Sequence, residues 1–203
     1  LVSSSAASDV YKRQLLGSLD NWVTVAKNLA SHGFEIILID QRNHGKSFHA
    51  DQFDYQTMSE DLKKFLDEKK IQKVSLIGHS MGGKTIMNFI LNYPQYANKV
   101  IVVDILPKAY NNDYEKIFNS FSKMDLNNLK SRKQIDEYFL RFFSDHTFVS
   151  FLSKNINRDS NGNFKIKFNL NSIKSNIVKI TSAINTDRVF NEDILFMKGE
   201  YSN

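Results

Sequence analysis

The chain has 203 residues, 41% hydrophobic and 24% charged, with a formal net charge of +5. This is the composition of a globular domain with a core of moderate size, which excludes a disordered or fibrous chain. The absence of cysteine excludes a disulfide scaffold, a thiolate zinc site and a cysteine nucleophile.

Residues 1–14, LVSSSAASDVYKRQ, are small and polar without periodicity, and no apolar stretch follows a basic start as in a signal peptide. They read as a translated adapter or junction scar, with a natural disordered tail as the alternative. Residues 19–32 place Trp22, Val25, Ala26 and Leu29 at helical spacing, with Asp20 or Asn21 as cap and Gly33 as stop. FEIILID at 34–40 reads as a buried strand and QRNHGKS at 41–47 as a polar loop. A helix over 58–70, with Ser59 as cap, carries Leu62, Phe65 and Leu66 on one face. KVSLIGHS at 73–80 is a second strand, MGGKTIMNFILNYP at 81–94 a helix ended near Pro94, and KVIVVDILP at 99–107 a third strand. Strands alternating with helices predict right-handed crossovers and a parallel sheet.

From 108 to 157 the pattern becomes amphipathic helix rich in Lys, Asn and Phe, an insertion over the sheet rather than another βα unit. NGNFKIKFN at 161–169 alternates at Phe164, Ile166 and Phe168 and reads as an exposed strand or arm. Residues 171–184 are weakly helical, and ILFMKGEYSN returns to the sheet and turns at Gly199. A domain leaving its sheet at an interior strand reads as a fragment. The expected organisation is a tail at 1–14 and a partial α/β domain at 15–203, with 108–185 as a cap region.

The chemistry concentrates in Gly78-His79-Ser80-Met81-Gly82, a G-x-S-x-G pattern between an apolar strand and an apolar helix. Such a turn is crowded, so Gly78 and Gly82 are expected to remove clashing side chains. It pushes the Ser80 hydroxyl outward and sets the Met81 N–H at a helix start, facing a developing oxyanion. Asp104, at the end of the neighbouring strand, opens on the same side of a parallel sheet and is the candidate acid. An Asp that merely starts a loop is the alternative, and Glu200 is a second, less favoured acid. The base is not legible. The five histidines are His32, His44, His49, His79 and His146, and none follows a late strand.

These residues resemble the α/β-hydrolase superfamily, closest to the small esterase-like branch of bacterial acyl-CoA and ester hydrolases and the mitochondrial abhydrolase-11 type. The matching blocks are LLGSLDNW at 15–22, DQRNHGKS at 40–47, IGHSMGGKTIM at 77–87 and VVDILP at 102–107. The resemblance implies an α/β-hydrolase fold with a helical cap, incomplete at both ends. It implies Ser80 as nucleophile, Asp104 as acid, and Met81 and Leu15 as oxyanion donors. A family His-Gly pair falls on Arg13-Gln14, which does not match, and the family's catalytic His falls beyond Asn203. The implied activity is hydrolysis of small-molecule carboxylic esters or thioesters through an acyl-enzyme, without a cofactor. A cap with Phe118, Phe121, Phe139, Phe142, Phe143, Phe148 and Phe151 suits an apolar acyl chain, although such rings also serve as packing. The resemblance favours a cytoplasmic or mitochondrial compartment.

Rival readings remain. A hydrolase-like binding module keeps the elbow and lacks the base, and the expectation for these 203 residues is inactivity and exposed apolar sheet edges. GHSMGGKT also satisfies the G-x-x-x-x-G-K-[ST] spacing of a P-loop around Lys84, against which stand Ser80 and Met81 inside the loop and no clear magnesium-binding strand end. Interleaved lysines without an aromatic platform give no nucleic-acid signal, no His/Asp cluster has metal-ligand spacing, and no run reaches the roughly 18 apolar residues of a membrane helix.

Overall fold

A computed structural model describes residues 15–111 and 113–200, so the readings of residues 1–14 and of the last three residues lie outside it. Three β-branched runs form a parallel sheet: β1 (Val74–His79), β2 (Ala97–Val103) and β5 (Ile194–Met197), in the order β1-β2-β5. The register sets His79 beside Val103 and Val103 beside Met197, so all three strands release the chain at one end of the sheet. β1 crosses to β2 through α3 (Met81–Asn92), whose Ile86, Met87, Phe89 and Ile90 pack with Leu76, Val100, Val102 and Leu66. Leu66 comes from α2 (Tyr55–Glu68), which starts earlier than its sequence suggests because Asp54 forms a capping box with Thr57. Ser59 is therefore not the cap. It is buried within the helix and donates to Tyr55 O. Likewise α1 (Val23–Ser31) follows a 3₁₀ turn at Leu19–Asn21 and is not capped by Asp20 or Asn21.

The expected strand at 34–40 does not form. The segment lies near β1 across an apolar groove of about 160 Å³, lined by Ile36, Leu38, Leu76 and Ile77 among others. A strand exists through its ladder, and among the described residues this segment pairs with no neighbour; Phe34 and Ile37 are exposed. β5 likewise presents Leu195, Phe196 and Met197 about half exposed.

Between β2 and β5 lie α4 (Glu115–Ser122), α5 (Arg132–Leu140), α6 (His146–Ser153), a β3 (Ile156–Arg158) and β4 (Phe164–Ile166) hairpin, α7 (Leu170–Ser175) and α8 (Ile177–Thr181). Aromatic edges hold this insertion together: Phe121 meets Phe139 at 5.0 Å and Phe168 at 4.9 Å, and Phe143 meets Phe148 at 5.1 Å. The 161–169 segment is not an exposed arm, because Phe164 and Phe168 are buried in this cluster. Asn43, fully buried at φ 66°, ties the insertion down: its amide donates to Ser172 Oγ at 3.0 Å and accepts from Ala50 N–H at 2.8 Å.

Candidate active site

β1 ends in a sharp turn. Ser80 sits at φ 50°, ψ −120°, a sparsely populated conformation for a residue with a side chain. It is fixed from both sides. Its N–H donates to Val103 O at 3.1 Å, continuing the sheet, and its carbonyl accepts from Lys84 N–H at 3.0 Å, starting α3. The glycines explain how two backbones approach so closely. A Cβ on Gly78 would stand 2.5 Å from Gly82 O, and one on Gly83 would stand 2.5 Å from Ile105 Cγ2. Met81 is the first residue of α3, where an N–H has no acceptor within the helix.

Asp104 leaves β2 beside this turn, also at positive φ, 55°. Its N–H donates to Met197 O at 2.7 Å and its Oδ1 accepts weakly from Gly199 N–H at 3.4 Å. Ser80, Met81, Asp104 and Leu15 line one small pocket, closed by Tyr55, Lys84, Ile105, Tyr110, Tyr114 and Ile180. All four residues singled out from the sequence therefore meet at one place. None of the insertion's phenylalanines lines the pocket. They form its packing, and the walls are tyrosine and isoleucine.

None of the five histidines lines this pocket. His32, His49 and His146 are exposed. His44 is buried, its Nδ1 facing Arg42 O at 3.0 Å and its Nε2 facing Leu15 O, and burial pushes its pKa down. A neutral imidazole has one N–H for these two carbonyls. His44 therefore donates to one of these carbonyls and packs beside the other. His79 packs edge-on against Trp22 at 6.0 Å with its Nδ1 buried and unbonded. Burial drives its pKa down to about 4, against the opposing field of Asp104.

Two positions that the sequence did not assign to an ester site stand out. Lys84 is 1% exposed, its ammonium donating to Ser182 O at 2.6 Å and lying over the rings of Tyr55 and Tyr110. Its position one helical turn after Ser80 was the available signal. Tyr55 holds the pocket wall by donating to Ile180 O at 2.6 Å. This placement of Lys84 also weighs against a P-loop, because the ammonium is turned to a carbonyl and two rings. Among the described residues no group of three or more His, Asp or Glu could hold a metal, and no helix is long and apolar enough to cross a membrane.

A strand-turn-helix serine beside a strand-end aspartate on a parallel sheet defines a hydrolase-type architecture. The chain belongs to the α/β-hydrolase fold family, whose model matches residues 14–157. It is 33% identical over 195 residues to a putative esterase/lipase of Haemophilus influenzae, covering 96% of this chain and 66% of the relative. It is 30% identical over 200 residues to the sn-1-specific diacylglycerol lipase ABHD11 of Danio rerio, covering 95% of this chain and 63% of that protein. Among solved structures, a marine microorganism esterase matches with a TM-score of 0.86 and 40% identity over 91% of this chain and 73% of that one. The chain thus spans just under two thirds of the length of these curated relatives.

Proposed function

We propose that this chain carries the nucleophile half of a serine esterase acting on carboxylic esters or thioesters. The observation that carries the reading is the strained Ser80, held at the mouth of a helix and opening into one pocket with Leu15, Met81 and Asp104. Relatives named esterase and lipase support the substrate class. In this mechanism Ser80 Oγ attacks the ester carbonyl carbon as its proton passes to a base. The negative charge moves to the carbonyl oxygen, which receives the N–H groups of Met81 and Leu15. Collapse expels the alcohol or thiol, which takes the proton and leaves an acyl-Ser80 ester. Water attacks this ester by the reverse sequence, releasing the acid. Asp104 is assigned to orienting the base and stabilising its protonated form.

The segment 108–185 is assigned as the cap, because it supplies the Tyr110, Tyr114 and Ile180 walls over Ser80. With no imidazole at the pocket, these 203 residues by themselves are proposed to turn over esters feebly at most. The same observation favours a second reading, a binding module that retains the elbow without turnover. p-Nitrophenyl ester hydrolysis by the chain and by its Ser80→Ala variant separates the readings. Weak Ser80-dependent turnover supports the esterase reading, and ester binding with no Ser80-dependent turnover supports the binding module. Robust turnover abolished by Ser80→Ala contradicts the proposed absence of a base.

A further inference from the structure

The Ser80 pocket contains a cation that the ester chemistry does not use. Lys84 lies in the first turn of α3, four residues after the Ser80 turn, and both residues line the pocket. Its ammonium has three donors. One reaches Ser182 O at 2.6 Å, and the ring centroids of Tyr55 and Tyr110 stand at 5.6 and 5.1 Å. Among the described residues, no carboxylate forms an ion pair with it. The one acid in the pocket, Asp104, turns an oxygen to the Gly199 N–H instead. A second ammonium, that of the exposed Lys108, lies 5.4 Å from the same Tyr110 ring. Lys108 stays outside the pocket lining, so among the described residues Lys84 is the cation that lines it.

A buried charge is costly unless it is paired. A carbonyl and two aromatic faces offset part of that cost, and an anion completes it. Ser80 and Lys84 line the same small pocket four residues apart, so an acyl chain that joins the nucleophile to the ammonium is short. We propose that Lys84 is a specificity-determining residue that selects esters or thioesters whose short acyl chain ends in a carboxylate, dicarboxylic acid monoesters being the simplest case. The inference rests on Ser80 marking the acyl site. An uncharged acyl chain would meet the ammonium with nothing to offer it, and a terminal carboxylate would gain a charge-assisted hydrogen bond in a water-poor site.

Binding is tested without turnover. Monomethyl succinate and methyl butyrate differ chiefly in a carboxylate against a methyl group. Each is titrated into the Ser80→Ala chain, and into the same chain carrying Lys84→Met, by ligand-observed NMR at pH 7. The charged ester is expected to bind at least tenfold more tightly, and Lys84→Met to remove that preference. Lys108→Met, at an exposed residue outside the pocket lining, reduces it less. Raising the pH to 9.5 with Lys84 intact is a second route that needs no core substitution. Burial holds the Lys84 pKa down to about 8, so the ammonium is lost there. Tyr55 and Tyr110 face it, Asp104 and Tyr114 line the same pocket, and Lys108 lies against the Tyr110 ring; burial pushes Tyr55 upward, which keeps it neutral. Equal affinity for the two esters at pH 7, or a preference that survives both Lys84→Met and pH 9.5, overturns the proposal. Hydrolysis is not read here, so an inert Ser80 would leave the preference standing, and a lost preference would leave Ser80 reactivity standing.

Discussion

Gly78→Ala probes the turn that presents Ser80. The added Cβ meets Gly82 O at 2.5 Å, Gly82 C at 2.7 Å and Ile86 Cδ1 at 2.5 Å. Ile86 can rotate away. Gly82 cannot, because it is backbone in the first turn of α3, next to Ser80. Gly78 has no positive φ, so the whole cost is steric, and overpacking of this kind costs about 3 kcal/mol at the upper end of its range. Gly33→Ala is the matched control. Gly33 has φ +86° and nothing within 4 Å of a Cβ, so it bears only the left-handed backbone penalty of about 1 kcal/mol. Urea unfolding at low protein concentration, with both midpoints compared at a common m-value, reads the difference. Gly78→Ala is expected to lose about 2 kcal/mol more than Gly33→Ala. Equal losses would refute the close approach of β1 and α3.

The remaining stability predictions concern buried polar groups. His79 has a folded pKa of about 4, below the 6.5 of an unfolded histidine. Below pH 6.5 the unfolded chain takes a proton that the folded chain refuses, so stability falls as pH falls from 6.5 toward 4. The loss is about 3 kcal/mol in all. His79→Phe should flatten that acid limb in pH-dependent urea midpoints, and an unchanged limb would remove His79 as its source. Asn43→Ala leaves Ser172 Oγ and Ala50 N–H each short of a partner and places alanine at φ 66°. A loss of about 3 kcal/mol is expected, with raised hydrogen exchange in α7 and the 41–50 loop, whereas exchange in β1 and β2 stays protected.

The sheet strands and the elbow were legible because their information is local. The apolar runs expected as strands at 73–80, 99–107 and the 194–198 stretch form strands at 74–79, 97–103 and 194–197, with β2 starting earlier and ending at Val103, before Asp104 turns out of the sheet. The 34–40 run carries the same local signal and fails, because pairing is a property of neighbours and not of the run itself. Helix starts went astray for a related reason: Ser59 is a good cap by type, but Asp54 and Thr57 satisfy each other first. The convergence of Ser80, Met81 and Asp104 followed from strand ends opening on one side of a parallel sheet, whereas Leu15 came from the family resemblance alone. The pocket's other walls, Tyr55, Tyr110 and Ile180, come from three separated segments, and no periodicity links them. The sequence offers Lys84 only as the lysine of a disfavoured P-loop, because its burial between two tyrosines is a property of tertiary packing.

The central claim is that Ser80 is the nucleophile. Prolonged incubation of the chain with an alkyl fluorophosphonate, followed by intact-mass and peptide mass spectrometry, tests it directly. The strained turn, with Met81 and Leu15 as the proposed oxyanion donors, is expected to favour attack even without a histidine at the pocket, since a serine site lacking one partner still retains part of its rate enhancement. The expected result is a single slow adduct on Ser80 that disappears in Ser80→Ala. Adducts scattered over other serines, or equal labelling of the Ser80→Ala chain, would contradict the account.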